Sequence, residues 1–120
     1  MARAPHAGQI TNDLGEAIER FGAALRADGV SADTVDTFDR GCRLFAGWMR
    51  EHGQAMSMDH VAASHVEDWE AELRQTMAHE TFHDNHRGLQ QFLSWYAKQR
   101  DPDWRSRSAW RRAPVEAAGR

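Results

Sequence analysis

The sequence predicts an all-α domain of four main helices, and three observations carry that prediction. First, one pattern occurs twice, 47 positions apart (Thr34 to Thr81). Asp33-Thr34, Arg40-Gly41, Phe45 and Trp48 return as Glu80-Thr81, Arg87-Gly88, Phe92 and Trp95. An acid beside Thr is helix-start chemistry: the acid favours the positive end of the helix dipole, and Thr can bond free backbone N–H groups. Phe and Trp three apart share one helical face. Two equivalent long helices are therefore expected, each ending in an aromatic anchor. Two copies are too few for a solenoid, which needs about three or more units, so a domain built from two related helical hairpins follows. Second, apolar residues recur at steps of three and four, and no segment shows the alternation of a strand between turn signals. Third, proline is scarce, with 3 in 120 residues, all toward the ends.

Met1–Ile10 has no periodicity and is expected to be a flexible leader. A first helix is expected from Thr11 or Asn12 to Ala27, with Leu14, Ile18, Phe21 and Leu25 on one stripe, stopped by Asp28-Gly29. Ser31 should cap a second helix from Ala32 to His52, whose apolar face is Val35, Phe38, Cys42, Phe45, Trp48 and Met49, with Gly53 ending it. Gln54–Ala63 is a linker with room for one short turn after Ser57. Ser64 and Glu67 have the spacing of a capping box for a third helix, His65 to Gln75 or Met77, with Val66, Trp69 and Leu73 inward. The fourth should run from His79 to Gln99, with Phe82, Leu89, Phe92, Leu93 and Tyr96 inside, and Asp101-Pro102 closes it. Helical domain 11–102 is thus followed by 103–120, too rich in Arg, Ser and Ala for core and expected as a basic tail or interdomain linker. Trp48, Trp69 and Trp95 are expected in the core; Trp104 and Trp110 could dock on a neighbour, contact DNA or add a short helix.

A chain of 120 residues with 41% apolar and 28% charged content is one globular domain with a modest core. The single Cys42 excludes an internal disulfide framework and a Cys-rich zinc site, and its apolar helical setting predicts a buried structural thiol. No stretch approaches the roughly 18 apolar residues of a membrane span, and the N-terminus lacks the apolar run of a signal peptide, so a cytoplasmic protein without a membrane partner is expected. Net charge is −3, unusual for a nucleic-acid binder. The charge is uneven: residues 1–100 carry 10 Lys/Arg against 15 Asp/Glu, and 101–120 carry 5 against 3.

A helix ending in Gly29-x-Ser31, then Thr34, Phe38 and the Phe45-x-x-Trp48 finish, followed by a second Thr-led helix with Leu89-x-x-Phe92-x-x-Trp95 and Asp101-Pro102, resembles a known arrangement. Together with Phe21, Leu25, Val66 and Thr81, these residues resemble the N-terminal core-binding (SAM-like) domain of tyrosine recombinases and phage integrases, from about Leu14 to Pro102. The resemblance implies a four-helix bundle of two crossed helical hairpins that clamps one face of duplex DNA. In that family a separate C-terminal domain supplies the catalytic Arg, Lys, His and Tyr. The residues after Pro102 are too few to hold it, so no cleavage by this chain and no cofactor are expected.

On this reading the DNA face is the polar side of the second and fourth helices. The expected contacts are Thr34, Thr37, Arg40, Arg43 and Arg50 on the second, with Gly47 leaving room for close approach. On the fourth they are Thr81, His83, Arg87, Gln90, Gln91 and Lys98, several of them in steps of three and four with Ser94. Guanidinium groups bond phosphate bidentately, helix starts at Thr34 and Thr81 offer N–H groups, and Gln90, Gln91 or Asn85 could read base edges. Asp36, Asp39 and Asp84 lie near that side, so modest and strongly salt-dependent affinity is expected. His86 stands where the family commonly has a core leucine.

His79-Glu80-Thr81-Phe82-His83 is a literal H-E-x-x-H, the helix motif in which two His hold zinc and Glu polarises water. The internal repeat already explains Glu80 as the counterpart of Asp33, and the longer metallopeptidase pattern wants Gly at 86 and His at 89, where the chain has His86 and Leu89. No metal site is therefore expected, apart from adventitious binding at His79, His83 and His86. The competing readings are a helical protein–protein interaction module, a degenerate or truncated recombinase that pairs with full-length recombinase subunits, and, remotely, a small zinc hydrolase.

Overall fold

A computed structural model describes residues 12–111. The expected leader and the end of the expected tail, 112–120, lie outside them. Four main helices form: α1 (Leu14–Ala27), α2 (Ala32–Glu51), α3 (Ala63–Thr76) and α4 (His79–Trp95). A short α5 (Trp104–Arg107) follows. No strand occurs among the described residues; Asp13 and Ser57 make one isolated antiparallel bridge. The fold is all-α.

Local chemistry sets most boundaries. Asp13 caps α1, its carboxylate accepting from the Glu16 N–H at 2.8 Å. Ser31 caps α2, its hydroxyl accepting from the Thr34 N–H at 3.3 Å. After α1 and α2 the chain turns at Gly29 (φ +81°) and Gly53 (φ +68°), left-handed positions that favour glycine. A 3-10 turn, Met58–His60, occupies the linker and is capped by Ser57.

Several boundaries differ from expectation, among them the start of α1 at Leu14 rather than Thr11 or Asn12. α3 begins at Ala63, because buried Val61 and Ala62 draw the chain inward before Ser64 is reached. The Ser64–Glu67 box does not form; instead the His65 imidazole accepts from the Ala62 N–H at 3.0 Å. α4 starts at His79 as expected, but Ala78 before it, the repeat counterpart of Ser31, offers no side-chain cap. At its other end α4 stops at Trp95 and passes into a π turn, Tyr96–Arg100, that closes with the Asp101 N–H on the Tyr96 carbonyl at 2.7 Å.

The His65 bond has a pH signature. Burial, with His60 nearby, holds the His65 imidazole below its usual range, and only a neutral ring nitrogen can accept the Ala62 proton. The unfolded chain thus binds a proton that the folded chain resists, so this contribution is present above the ordinary histidine pKa and is lost as pH falls below it. His65→Gln, whose amide oxygen can reach the same N–H, is expected to retain stability at low pH that wild type loses. Urea unfolding at pH 5 and pH 8 checks this; an equal acid-side loss in both proteins would refute it.

The core is one cluster. Phe21 of α1 meets Phe38 of α2 and Phe92 and Trp95 of α4, with ring centroids 6.4, 5.6 and 5.5 Å away. Phe45 of α2 packs edge-on against Trp69 of α3 at 5.5 Å. Trp69 is buried as expected, whereas Trp48 and Trp95 are only partly covered, because each lies at the rim where its helix leaves the core.

Residues 103–111 correct the expected tail. Trp104 is fully buried, stacks edge-on against Tyr96 at 5.5 Å, and donates from its indole N–H to the Met58 carbonyl at 2.7 Å. Trp110 packs on Trp104 at 5.2 Å. Arg107 bridges the buried Asp101 (2.6 Å) and Asp59 (2.8 Å), which raises its own pKa further. The Arg-rich composition hid this because the charges line the outside while two indoles face inward. Burial, with Asp101 and Asp59 nearby, pushes the Tyr96 phenol up to about 12.

Candidate nucleic-acid interface

The two copies of the repeat meet at their glycines. A Cβ added to Gly41 would run into the Asn85 carbonyl oxygen and lie 2.9 Å from the Asn85 Cα. One added to Gly88 would lie 2.8 Å from the Phe38 Cα and carbonyl oxygen. Phe38 and Asn85 each precede a repeat glycine by three residues, so the contact is reciprocal: each glycine receives the backbone of the other helix. Helices this close need glycine at both positions, because any side chain there would fill the space the partner backbone occupies. The Cys42 thiol reaches the Gly88 carbonyl at 3.6 Å, and burial, with Asp39 nearby, pushes its pKa up, leaving a protonated thiol in the junction.

The junction sorts the residues expected on DNA into separate places. Thr34, Thr37 and Arg87 line one recess of about 150 Å³ with Asp33, Phe38 and Asp84. There the Arg87 guanidinium sits 5.7 Å from the centre of the Phe38 ring. The Thr37 hydroxyl donates to the Asp33 carbonyl at 2.9 Å, and the Thr34 N–H is taken by Ser31, so that N–H is not open to phosphate. Arg40 and Arg43 border a second recess with Asp36, Asp39 and Leu44. Arg40 is exposed, but Arg43 is held by Asp39 at 3.3 Å and lies 3.9 Å from Glu19. Arg50 is exposed on the last turn of α2.

On α4, Thr81, His83, Gln90 and Gln91 are exposed. His83 belongs to a different recess, with Arg74, Met77, His79 and Phe82. Lys98 is exposed and lies in the π turn beyond the end of α4. Asn85 cannot read a base edge: it is buried under the junction and its amide contacts the Met77 sulfur at 3.3 Å. As the counterpart of Phe38, it is the polar member of an otherwise apolar pair.

The histidines do not converge. The His79 and His83 rings lie edge-on at 4.4 Å, while His86 turns to Glu70 on α3 and stacks on Phe82 at 5.6 Å. Arg74 shares the recess with His79 and His83, and its charge opposes a divalent cation there. Among the described residues no group of three or more His, Cys, Asp and Glu is placed to hold a metal ion. Nor is any described helix long and apolar enough to cross a membrane. No family model, curated protein or solved structure was found that matches the chain.

Proposed function

We propose that this chain is the DNA-gripping domain of a tyrosine recombinase of the phage-integrase type, a SAM-like bundle of two crossed helical hairpins. Its task is to hold the recombination site and position a catalytic domain that these residues do not supply. The carrying observation is the reciprocal glycine junction. It brings the repeat-related helices together with Arg40 and Arg87, the residues preceding Gly41 and Gly88, both exposed. Each of these two cations, in its own recess beside the junction, can meet a phosphate, with Arg50, Gln90, Gln91 and Lys98 extending the contact. Asp33, Asp36, Asp39 and Asp84 beside them keep affinity modest.

Fluorescence anisotropy with a labelled generic duplex tests this. Wild type is expected to bind at low salt with micromolar affinity that falls steeply as salt rises. Arg40→Glu with Arg87→Glu is expected to weaken binding at least about a hundredfold, and a milder double Ala variant to reduce the salt slope by about 2. Arg43→Glu should matter less than either single reversal, since Asp39 already occupies its guanidinium. No binding by wild type at low salt would sink the function; binding unchanged in the double reversal would sink the face.

A helical interaction module is the second reading. The neutralised Arg43 and the net charge of −3 favour it. Full-length recombinase subunits are then natural partners.

A further inference from the structure

The furrow between α2 and α3 is apolar, open and unexplained by internal packing. Trp48, Trp69 and Leu73 form its floor and sides, with Leu44, Gly47, Arg43, Glu51, Glu72 and Thr76 around them. Leu44 is the large apolar side chain left exposed among the described residues, at 38%. Gly47 lies mid-helix, where glycine costs helix stability relative to alanine, yet among the described residues nothing beyond its chain neighbours and its own helix backbone comes within 4 Å of its Cβ position. That contrasts with Gly41 and Gly88, whose absent side chains are each explained by a backbone packed against them. A glycine beside an exposed leucine suits the close approach of a backbone from outside, as the junction does inside.

The chemistry of the rim says what approaches. Arg43 is matched by Asp39 and Glu19. The charge left over is that of exposed Glu51, joined at neutral pH by exposed Glu72, which accepts from the Trp48 indole at 3.0 Å and lies 3.5 Å from the His52 imidazole. Phosphate is repelled by these carboxylates, whereas Lys or Arg complements them. At about 260 Å³ the furrow is below the usual size of a small-molecule pocket but suits apolar side chains entering from a surface. A groove between two helices, floored by aromatics, takes a third helix by its apolar face.

We propose that the α2–α3 furrow is a docking groove for a helix of another protein, apolar on the face seated over Leu44, Gly47 and Trp48, and basic at the end lying over Glu51 and Glu72. The groove shares Arg43 and Leu44 with the recess that Arg40 borders, but neither Arg40 nor Arg87 lines it.

Anisotropy with two labelled helical peptides of about 20 residues, both with leucine at helical spacing, one flanked by Lys and one by Glu, tests this beside the DNA titration. The Lys peptide is expected to bind at least about tenfold more tightly than the Glu peptide. Gly47→Leu, which fills open space, and Leu44→Glu, an exposed change, are each expected to weaken the Lys peptide at least about tenfold. Circular dichroism confirms that both variants fold. Equal binding of the two peptides, no binding of the Lys peptide, or binding unchanged in both variants overturns the proposal. Loss of DNA affinity in Gly47→Leu with peptide binding intact also overturns it and assigns Gly47 to the DNA face.

Discussion

Gly41→Ala is expected to destabilise the fold by about 3 kcal/mol and to lower its melting temperature by at least about 10 °C. The new methyl would meet the backbone of Asn85, not a side chain, and backbone within a packed helix cannot rotate aside. The two helices must separate, loosening Phe38, Cys42, Leu89 and Phe92 together. Overpacking of this kind costs about 1–3 kcal/mol and sometimes more; the better helix propensity of alanine returns at most about 1. Gly88→Ala should behave alike, since its methyl would meet Phe38. Combining both should cost less than the sum, because the first methyl has already opened the junction for the second. Gly47→Ala is the internal control: the same substitution in the same helix meets open space and should stabilise by up to about 1 kcal/mol. Thermal melts of the three single variants decide the matter. A Gly41→Ala protein as stable as Gly47→Ala would mean that the helices do not touch at these glycines.

Trp104→Ala is expected to cost about 3–5 kcal/mol, the range for a buried tryptophan truncated to alanine. The indole is fully buried, and its removal uncovers Tyr96 and withdraws support from Trp110. Trp104→Phe separates volume from hydrogen bonding. It keeps an aromatic ring against Tyr96 and loses the bond to Met58, whose carbonyl still accepts from the Val61 N–H at 3.2 Å. That acceptor is not orphaned, so the phenylalanine variant should lose only about 1 kcal/mol for the bond, plus the cost of the smaller ring. Denaturant unfolding measures both. If Trp104→Ala unfolds like wild type, residues 103–111 do not belong to the folded unit.

The helices were legible because each carries its own record: Ser31 and the glycines at 29 and 53 punctuate, and Leu14, Ile18 and Phe21 repeat at helical steps. The repeat itself announced Gly41 and Gly88, but not that they touch. That needed the partner helix, which sequence spacing alone does not supply. Asn85 misled for the same reason: its polarity suggests a surface, while its kinship with Phe38 places it under the junction. Ser64 and Glu67 had the spacing of a cap but lost to His65, since burial of Val61 and Ala62 fixed where α3 could begin. Trp104 was obscured by the arginines around it, because composition averages over two faces that the chain keeps apart. The interface residues were read as stripes; the exposure of Arg40 and Arg87 fits that, but the capture of Arg43 by Asp39 depends on rotamers no stripe can reveal.

Ala78, standing where Ser31 stands in the first copy, gives the two halves different lifetimes. A helix start held by a hydroxyl opens only when that bond and the first turn break together. A start that ends in a methyl group opens turn by turn at little cost. Residues 76 and 78–81 are all exposed, so little buried surface resists that opening. The Thr81 amide is therefore expected to exchange with solvent faster than the Thr34 amide, which the Ser31 hydroxyl holds, though one sequence pattern wrote both. The repeated pattern gives two like helices; a single hydroxyl distinguishes how they begin.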